Sequence, residues 1–284
     1  MKNIFVVGFA RSGTTLLQTY VSALSSVISF PETSFFFYHY MCPLDRLPVS
    51  PMVADAISMP RRFFVDKDAL STLVKEIGLP NVRLESHMFH TKKFDKYFIL
   101  SLDSIAEQRG KAAWVEKSTV HLRRIPRIVA VSPNAKFIHV IRRFPAVLDS
   151  WERVGREHPN WTYNYTSKRI FRNWVRDLKR TEYWVVHRPD NHIGFTYEEL
   201  CNDPKRVIGT ISRFCELPLE QDLLENRKRI QIDLGLEPWK ANVFNEIRPL
   251  KEIDQAGYPD HRGESEYRTV EKCLERSWSE LAQA

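Results

Sequence analysis

The chain has 284 residues, 43% of them hydrophobic and 27% charged, which is enough apolar material for one large folded domain and excludes disorder and collagen-like structure. Lysine and arginine outnumber aspartate and glutamate 42 to 35, and the resulting net charge of +7 favours an anionic ligand. Four cysteines, Cys42, Cys201, Cys215 and Cys273, stand far apart with no Cys-x-x-Cys, so neither a zinc module nor a disulfide framework is expected. No apolar run reaches the ~18 residues of a membrane-spanning helix. Met1-Lys2-Asn3 leads directly into Ile4-Phe5-Val6-Val7 without a signal-peptide pattern, so a cytoplasmic protein is expected.

Ile4 to Val7 is apolar at every position, the pattern of a strand buried on both faces of a parallel sheet, and it ends at Gly8. The period then changes: Leu16, Leu17, Tyr20, Val21 and Leu24 recur at helical spacing, predicting a helix from Thr14 to about Ser25. Val27 to Phe30 reads as a second short strand. The stretch from Pro31 to Lys96 contains Pro43, Pro48, Pro51, Pro60 and Pro80 and is expected to form loops and short helices over one end of the sheet, an insertion of the kind that carries a substrate-binding surface. Strands are predicted at Ala112–Val115, Lys136–Ile141 and His192–Phe195. Helices are predicted after Pro145, from Ser167 to Val186, and after Asp203-Pro204, a cap followed by proline at the first helical position. Residues 218–284 are expected to form a C-terminal helical or cap region. Strands alternating with helices predict a single α/β domain over 1–284, three layers deep, with a central parallel sheet flanked by helices.

The first turn reads Gly8-Phe9-Ala10-Arg11-Ser12-Gly13-Thr14-Thr15, a G-x4-G loop between a buried strand and a helix N-terminus, which makes the fold P-loop-like. That junction turns backbone N–H groups and the positive end of the helix toward an anion. A Walker A loop would continue Gly-Lys-Ser/Thr, the lysine reaching the outer phosphates. Here Thr14 stands at the lysine position and the cation is upstream, at Arg11. A phosphate-binding loop without the NTPase lysine is the result.

Gly-Phe-Ala-Arg-Ser-Gly-Thr-Thr-Leu-Leu resembles the 5′-phosphosulfate loop of sulfotransferases that use 3′-phosphoadenosine 5′-phosphosulfate (PAPS), in the arginine form of the tyrosylprotein and many bacterial enzymes. A second motif supports the likeness. Phe137-Ile138-His139-Val140-Ile141-Arg142 ends a strand and Ser150 follows eight residues later in the next helix, similar to the family's 3′-phosphate site. An arginine offers a fork of donors and a full charge, and a serine a hydroxyl donor. The chain departs from the family in reading Arg142-Arg143-Phe144-Pro145 where relatives often have Arg-Asp-Pro-Arg.

The resemblance implies an enzyme that moves a sulfuryl group from PAPS to a hydroxyl acceptor, such as a sugar, lipid or phenol, without a metal. Arg11, Ser12, Gly13, Thr14 and Thr15 would hold the phosphosulfate, Arg142 and Ser150 the 3′-phosphate, and Tyr197, in Tyr197-Glu198-Glu199-Leu200, would contact the donor. Pro31-Glu32-Thr33 resembles the segment whose glutamate is the base in the tyrosylprotein enzymes, so Glu32 is the expected general base. His121 and Glu116 are rival bases. Lys117, after the Trp114-Val115-Glu116 strand, matches a lysine that stabilises the transferring group. Lys240, Arg248, His261-Arg262-Gly263 and Arg268 are candidates to complete the donor pocket.

Two other classes remain in view: a kinase-like P-loop phosphotransferase, disfavoured by the missing lysine, and a basic nucleotide- or nucleic-acid-binding protein, disfavoured by basic residues scattered among acids. No nucleic-acid partner is expected, and no oligomeric state is legible. Phe35, Phe36, Phe37, Tyr38, Tyr40, Phe63 and Phe64, like Trp161 to Tyr165, suit either an aromatic acceptor wall or ordinary packing.

Overall fold

Ile4, Phe5, Val6 and Val7 are all wholly buried, so the strand that contains them is covered by helices on both sides. The computed structural model describes residues 1–38, 40–41, 59–60, 92–157, 166–220, 222–223, 227 and 261–283. Its strands are β1 (Lys2–Gly8), β2 (Val27–Phe30), β3 (Tyr40–Met41), β4 (Met59–Pro60), β5 (Ala113–Lys117), β6 (Lys136–Ile141) and β7 (His192–Thr196). β3 and β4 pair only with each other. The other five form one sheet in the order β2-β5-β1-β6-β7, parallel throughout. Every carboxyl end therefore points the same way, where ligands bind in such sheets.

The helices are α1 (Thr14–Val21), α2 (Phe35–Tyr38), α3 (Lys92–Gln108), α4 (Ile125–Val129), α5 (Phe144–Glu157), α6 (Ser167–His187), α7 (Tyr197–Asn202), α8 (Pro204–Phe214) and α9 (His261–Gln283), with a 3-10 turn at Thr119–Arg123. Alternate residues of β1 feed opposite layers, as strand geometry requires. Ile4 and Val6 join Leu17, Val21, Phe195 and Ile208 on the side of α1 and α8. Phe5 and Val7 join Trp114, Phe137, Phe98, Leu122 and Trp184 on the side of α3 and α6. Both predicted faces of the sheet are thus present.

α1 ends at Val21 rather than near Ser25. The Ser22 hydroxyl donates to the Gln18 carbonyl at 2.6 Å, and the next amides, Ala23 and Leu24, bond only three residues back, which tightens and closes the turn. α7 opens with a reciprocal cap: Glu199 N donates to Thr196 Oγ1 at 3.0 Å and Thr196 N to Glu199 Oε2 at 2.9 Å. Asp203 caps α8 through Arg206 N at 3.1 Å, as the Asp-Pro pair predicted. The β7 edge is covered by α9, and a Cβ on Gly194 would stand 2.5 Å from Leu274 Cδ2.

Candidate active site

The turn after β1 has two residues in the left-handed region, Arg11 at φ 72° and Gly13 at φ 93°. Ser12 between them is wholly buried; its amide donates to the Phe9 carbonyl at 3.1 Å, and its hydroxyl has no hydrogen-bond partner among the described residues. Gly13 is required twice over. Its φ suits glycine, and a Cβ there would stand 2.3 Å from Cδ2 of Tyr197. Thr14 and Thr15 open α1 and are buried behind the loop.

Arg11 Nε donates to Ser150 Oγ at 3.0 Å, and the Arg11 carbonyl accepts from Arg142 Nη1 at 3.3 Å. The loop thus joins the two members of the second motif. Arg142 is held by two further contacts and keeps one buried donor unused. Its guanidinium lies over the Tyr197 ring, 4.0 Å from the centroid, its carbonyl accepts from Trp174 Nε1 at 3.0 Å, and its buried Nε is unpartnered among the described residues. Burial and the neighbouring Cys201 push the Tyr197 hydroxyl up to about 12 against the lowering effect of Arg142, so the ring is a neutral platform at physiological pH. Burial also raises the carboxyl of the next residue, Glu198, although Arg142 and Tyr267 pull it down.

The second cluster forms on β2 and β5. Lys117, 2% exposed, ends β5 one strand from β1, where it lies opposite Val6, and its ammonium pairs with the Glu32 carboxylate. Glu32 is the more open partner at 19%. A buried ammonium is stable only beside such a charge. The segment carrying Glu32 is pinned from behind by Glu116. Glu116 Oε1 accepts from Thr33 N at 2.9 Å, from Thr33 Oγ1 at 2.8 Å and from the Ser118 hydroxyl. Ser118 Oγ accepts from Ser34 N at 2.8 Å and so holds Ser34 at its positive φ of 47°.

His121 completes this support. Its Nε2 accepts the Phe36 amide proton at 3.2 Å, which leaves the ring proton on Nδ1, 3.0 Å from Glu116 Oε2. Burial alone would raise the Glu116 carboxyl, but the facing His121 and the hydrogen bonds from His121, Ser118 and Thr33 outweigh it and hold the carboxyl low. Both rival bases therefore spend their lone pairs inside the protein. Glu32 is the carboxylate of this cluster that reaches solvent.

Phe35 and Phe36 are core residues, not an acceptor wall: Phe35 stacks on Phe98 with centroids 3.9 Å apart, and Phe36 packs edge-on against His121. Arg268 faces Glu264 and Glu271 of its own helix, at 3.6 and 3.8 Å, and is 54% exposed. Lys240, Arg248, Phe63, Phe64 and Trp161 to Tyr165 lie outside the described residues, as do the side chains of Phe37, Tyr38, Tyr40 and His261. Trp174 and Tyr267 were not singled out from sequence, where each reads as a helical apolar position; the Thr196-x-x-Glu199 capping box was the one legible signal that the Tyr197 turn is rigid. Among the described residues, no group of three His, Cys, Asp or Glu could hold a metal, and no helix is long and apolar enough to cross a membrane.

A candidate protein-tyrosine sulfotransferase of Caenorhabditis elegans is 32% identical over 127 residues, covering 43% of this chain and 48% of that protein, so the match spans about half the relative's length. One of Caenorhabditis briggsae is 25% identical over 252 residues, covering 86% of this chain and 77% of that protein. Among solved structures, the sulfotransferase domain from the curacin biosynthetic pathway superposes with a TM-score of 0.57 at 16% identity, over 99% of this chain and 98% of that one. The sulfotransferase domain from the Synechococcus PCC 7002 olefin synthase gives 0.57 at 17%, over 99% and 96%. At these identities the likeness to the solved structures is one of fold. The family model described as "Sulfotransferase family" matches residues 3–221, well over half of the sequence, and the chain belongs to that family.

Proposed function

We propose that this enzyme transfers the sulfuryl group of PAPS to a hydroxyl of an acceptor, giving a sulfate ester and adenosine 3′,5′-bisphosphate (PAP). The observation that carries the reading is that the linked residues Arg11, Arg142, Ser150 and Tyr197 and the Glu32–Lys117 ion pair both stand at the carboxyl end of one parallel sheet. The residues fit a bisphosphorylated donor. The Ser12 hydroxyl and Arg142 Nε, both buried, have no hydrogen-bond partner among the described residues.

In this assignment Arg11 to Thr15 hold the 5′-phosphosulfate, and Arg142 with Ser150 holds the 3′-phosphate. Glu32 takes the proton of the acceptor hydroxyl as its oxygen bonds to sulfur. The bond from sulfur to the 5′-phosphate oxygen breaks, and the charge left on that phosphate is met by Arg11 and Lys117. Lys117 also aims Glu32 through their ion pair. Positioning and electrostatics supply most of the rate, as in phosphoryl transfer. Residues 1–284 would act as one sulfotransferase unit; most of the expected acceptor-side stretch 31–96, and residues 228–260 of the expected cap, lie outside the described residues. The free thiols Cys201, Cys215 and Cys273 support a cytoplasmic location.

Isothermal titration with PAP, against Mg-ATP, tests the assignment. Micromolar, metal-independent binding of PAP with weak binding of ATP is expected. Preference for Mg-ATP would replace the reading with a phosphotransferase.

A further inference from the structure

The family match ends at residue 221, yet α9, residues 261–283, packs along α6 and β7 beside the donor-site residues. Leu274 seats it against Gly194, and Tyr267, 1% exposed, sits in the cluster shared with Ile141, Phe144, Trp174 and Val270. Tyr267 touches both supports of Arg142. Its ring lies parallel to that of Trp174, centroids 6.2 Å apart and planes 10° apart, and Trp174 Nε1 binds the Arg142 carbonyl. Its hydroxyl donates to Glu198 Oε2 at 3.2 Å, and Glu198 follows Tyr197, the platform under the Arg142 guanidinium.

An arginine side chain carries about 2 kcal/mol of rotamer entropy, so a phosphate ligand gains most from an arginine already held in place. Here the backbone is held through Trp174 and the guanidinium through the Tyr197–Glu198 turn. One tyrosine on one helix braces both.

We propose that Tyr267 is a positioning residue of the donor site, through which the C-terminal helix holds Arg142 ready for the 3′-phosphate. The donor pocket thereby depends on residues beyond the segment that the family model matches. The proposal rests on the donor assignment above.

The test compares PAP with adenosine 5′-monophosphate, which lacks the 3′-phosphate, on the full chain by titration calorimetry. Tyr267→Phe, which keeps the ring and removes the hydroxyl, is expected to weaken PAP roughly 3- to 10-fold, the effect of one lost hydrogen bond, while leaving the monophosphate within about twofold. In an Arg142→Ala background the same substitution should have no further effect on PAP. Trp174→Phe keeps the stack but removes the indole donor, and should reproduce the loss of 3′-phosphate selectivity if Tyr267→Phe does not fold. Equal weakening of both nucleotides, or no change in either, overturns the role of Tyr267. A wild-type protein that does not prefer PAP to the monophosphate overturns the donor assignment instead.

Discussion

The Glu116 carboxylate and the His121 ring, both wholly buried, face each other at 3.0 Å, and together they anchor the segment that carries Glu32. Removing one member leaves the other buried without its partner, which costs about 3 kcal/mol or more. Glu116→Ala should lower the urea midpoint accordingly. Because Glu32 then loses its backing, PAP formation from PAPS should fall further than the folded fraction does. Unchanged turnover in the folded variant would show that Glu32 needs no support from Glu116.

Glu32→Gln keeps the shape of the side chain and removes its capacity to accept a proton. The rate of acceptor-dependent PAP formation should drop about 10²- to 10⁴-fold, as for loss of a general base. PAP affinity should stay within about twofold, since the donor contacts come from β1, β6 and β7. A rate that survives the change would move the base elsewhere.

Arg142→Ala should weaken PAP about 10- to 100-fold, and Ser150→Ala by a smaller factor, since the arginine brings a full charge and a fork of donors and the serine a single hydroxyl. Calorimetry at low and high salt separates the two, because the arginine effect shrinks as salt screens it.

Gly13→Ala places a Cβ where Tyr197 already lies and forces a side chain onto a φ of 93°. A loss of about 1–3 kcal/mol in stability is expected, together with weaker PAP binding as Tyr197 shifts from under Arg142. Thermal melts and the PAP titration on one sample check both effects.

The pairing of His139 Nε2 with His192 Nδ1 at 2.9 Å gives a separate prediction. Burial pushes His139 down to about 3 and, with His139, Arg188 and Lys136 nearby, His192 down to about 2. Both rings therefore stay neutral in the folded protein, while in the unfolded chain they gain protons near pH 6.5. Stability should fall as pH drops below about 6.5, by about 1.4 kcal/mol per ring for each unit further down. Glu116 acts in the same direction only as pH falls through the ordinary carboxylate range, and the raised Glu198 acts the opposite way, so a net fall in melting temperature from pH 7.5 to 5 comes from the histidines. A flat melting temperature over that range would contradict the buried neutral pair.

Much of the geometry behind the proposed donor site was legible because it is local. The Gly8 to Thr15 loop and the eight-residue step from Arg142 to Ser150 each lie within one strand-to-helix junction, where spacing decides geometry. The alternation of Ile4 and Val6 with Phe5 and Val7 likewise announced a sheet covered on both faces. The acid–base side was less legible. Glu32, Glu116 and His121 are all chemically able to take a proton, and only burial and lone-pair use separate them. Phe35 and Phe36 illustrate the same limit, since an aromatic run reads alike in a wall and in a core. Tyr267 was beyond reach, because its significance lies in a contact with Glu198 across 69 residues of chain.

The strand order has a consequence for how activity is lost. The assigned residues run from Arg11 to Tyr197, and neighbouring strands in the sheet are mostly distant in sequence. No fragment short of the assembled sheet brings Arg11, Lys117 and Arg142 to one end. Sub-global opening that frees β7 or β2 removes Tyr197 or Glu32 while the rest stays folded. Inactivation at the edges should therefore precede the main unfolding transition, whereas the central trio of β5, β1 and β6 should keep its amide protection longest in hydrogen exchange.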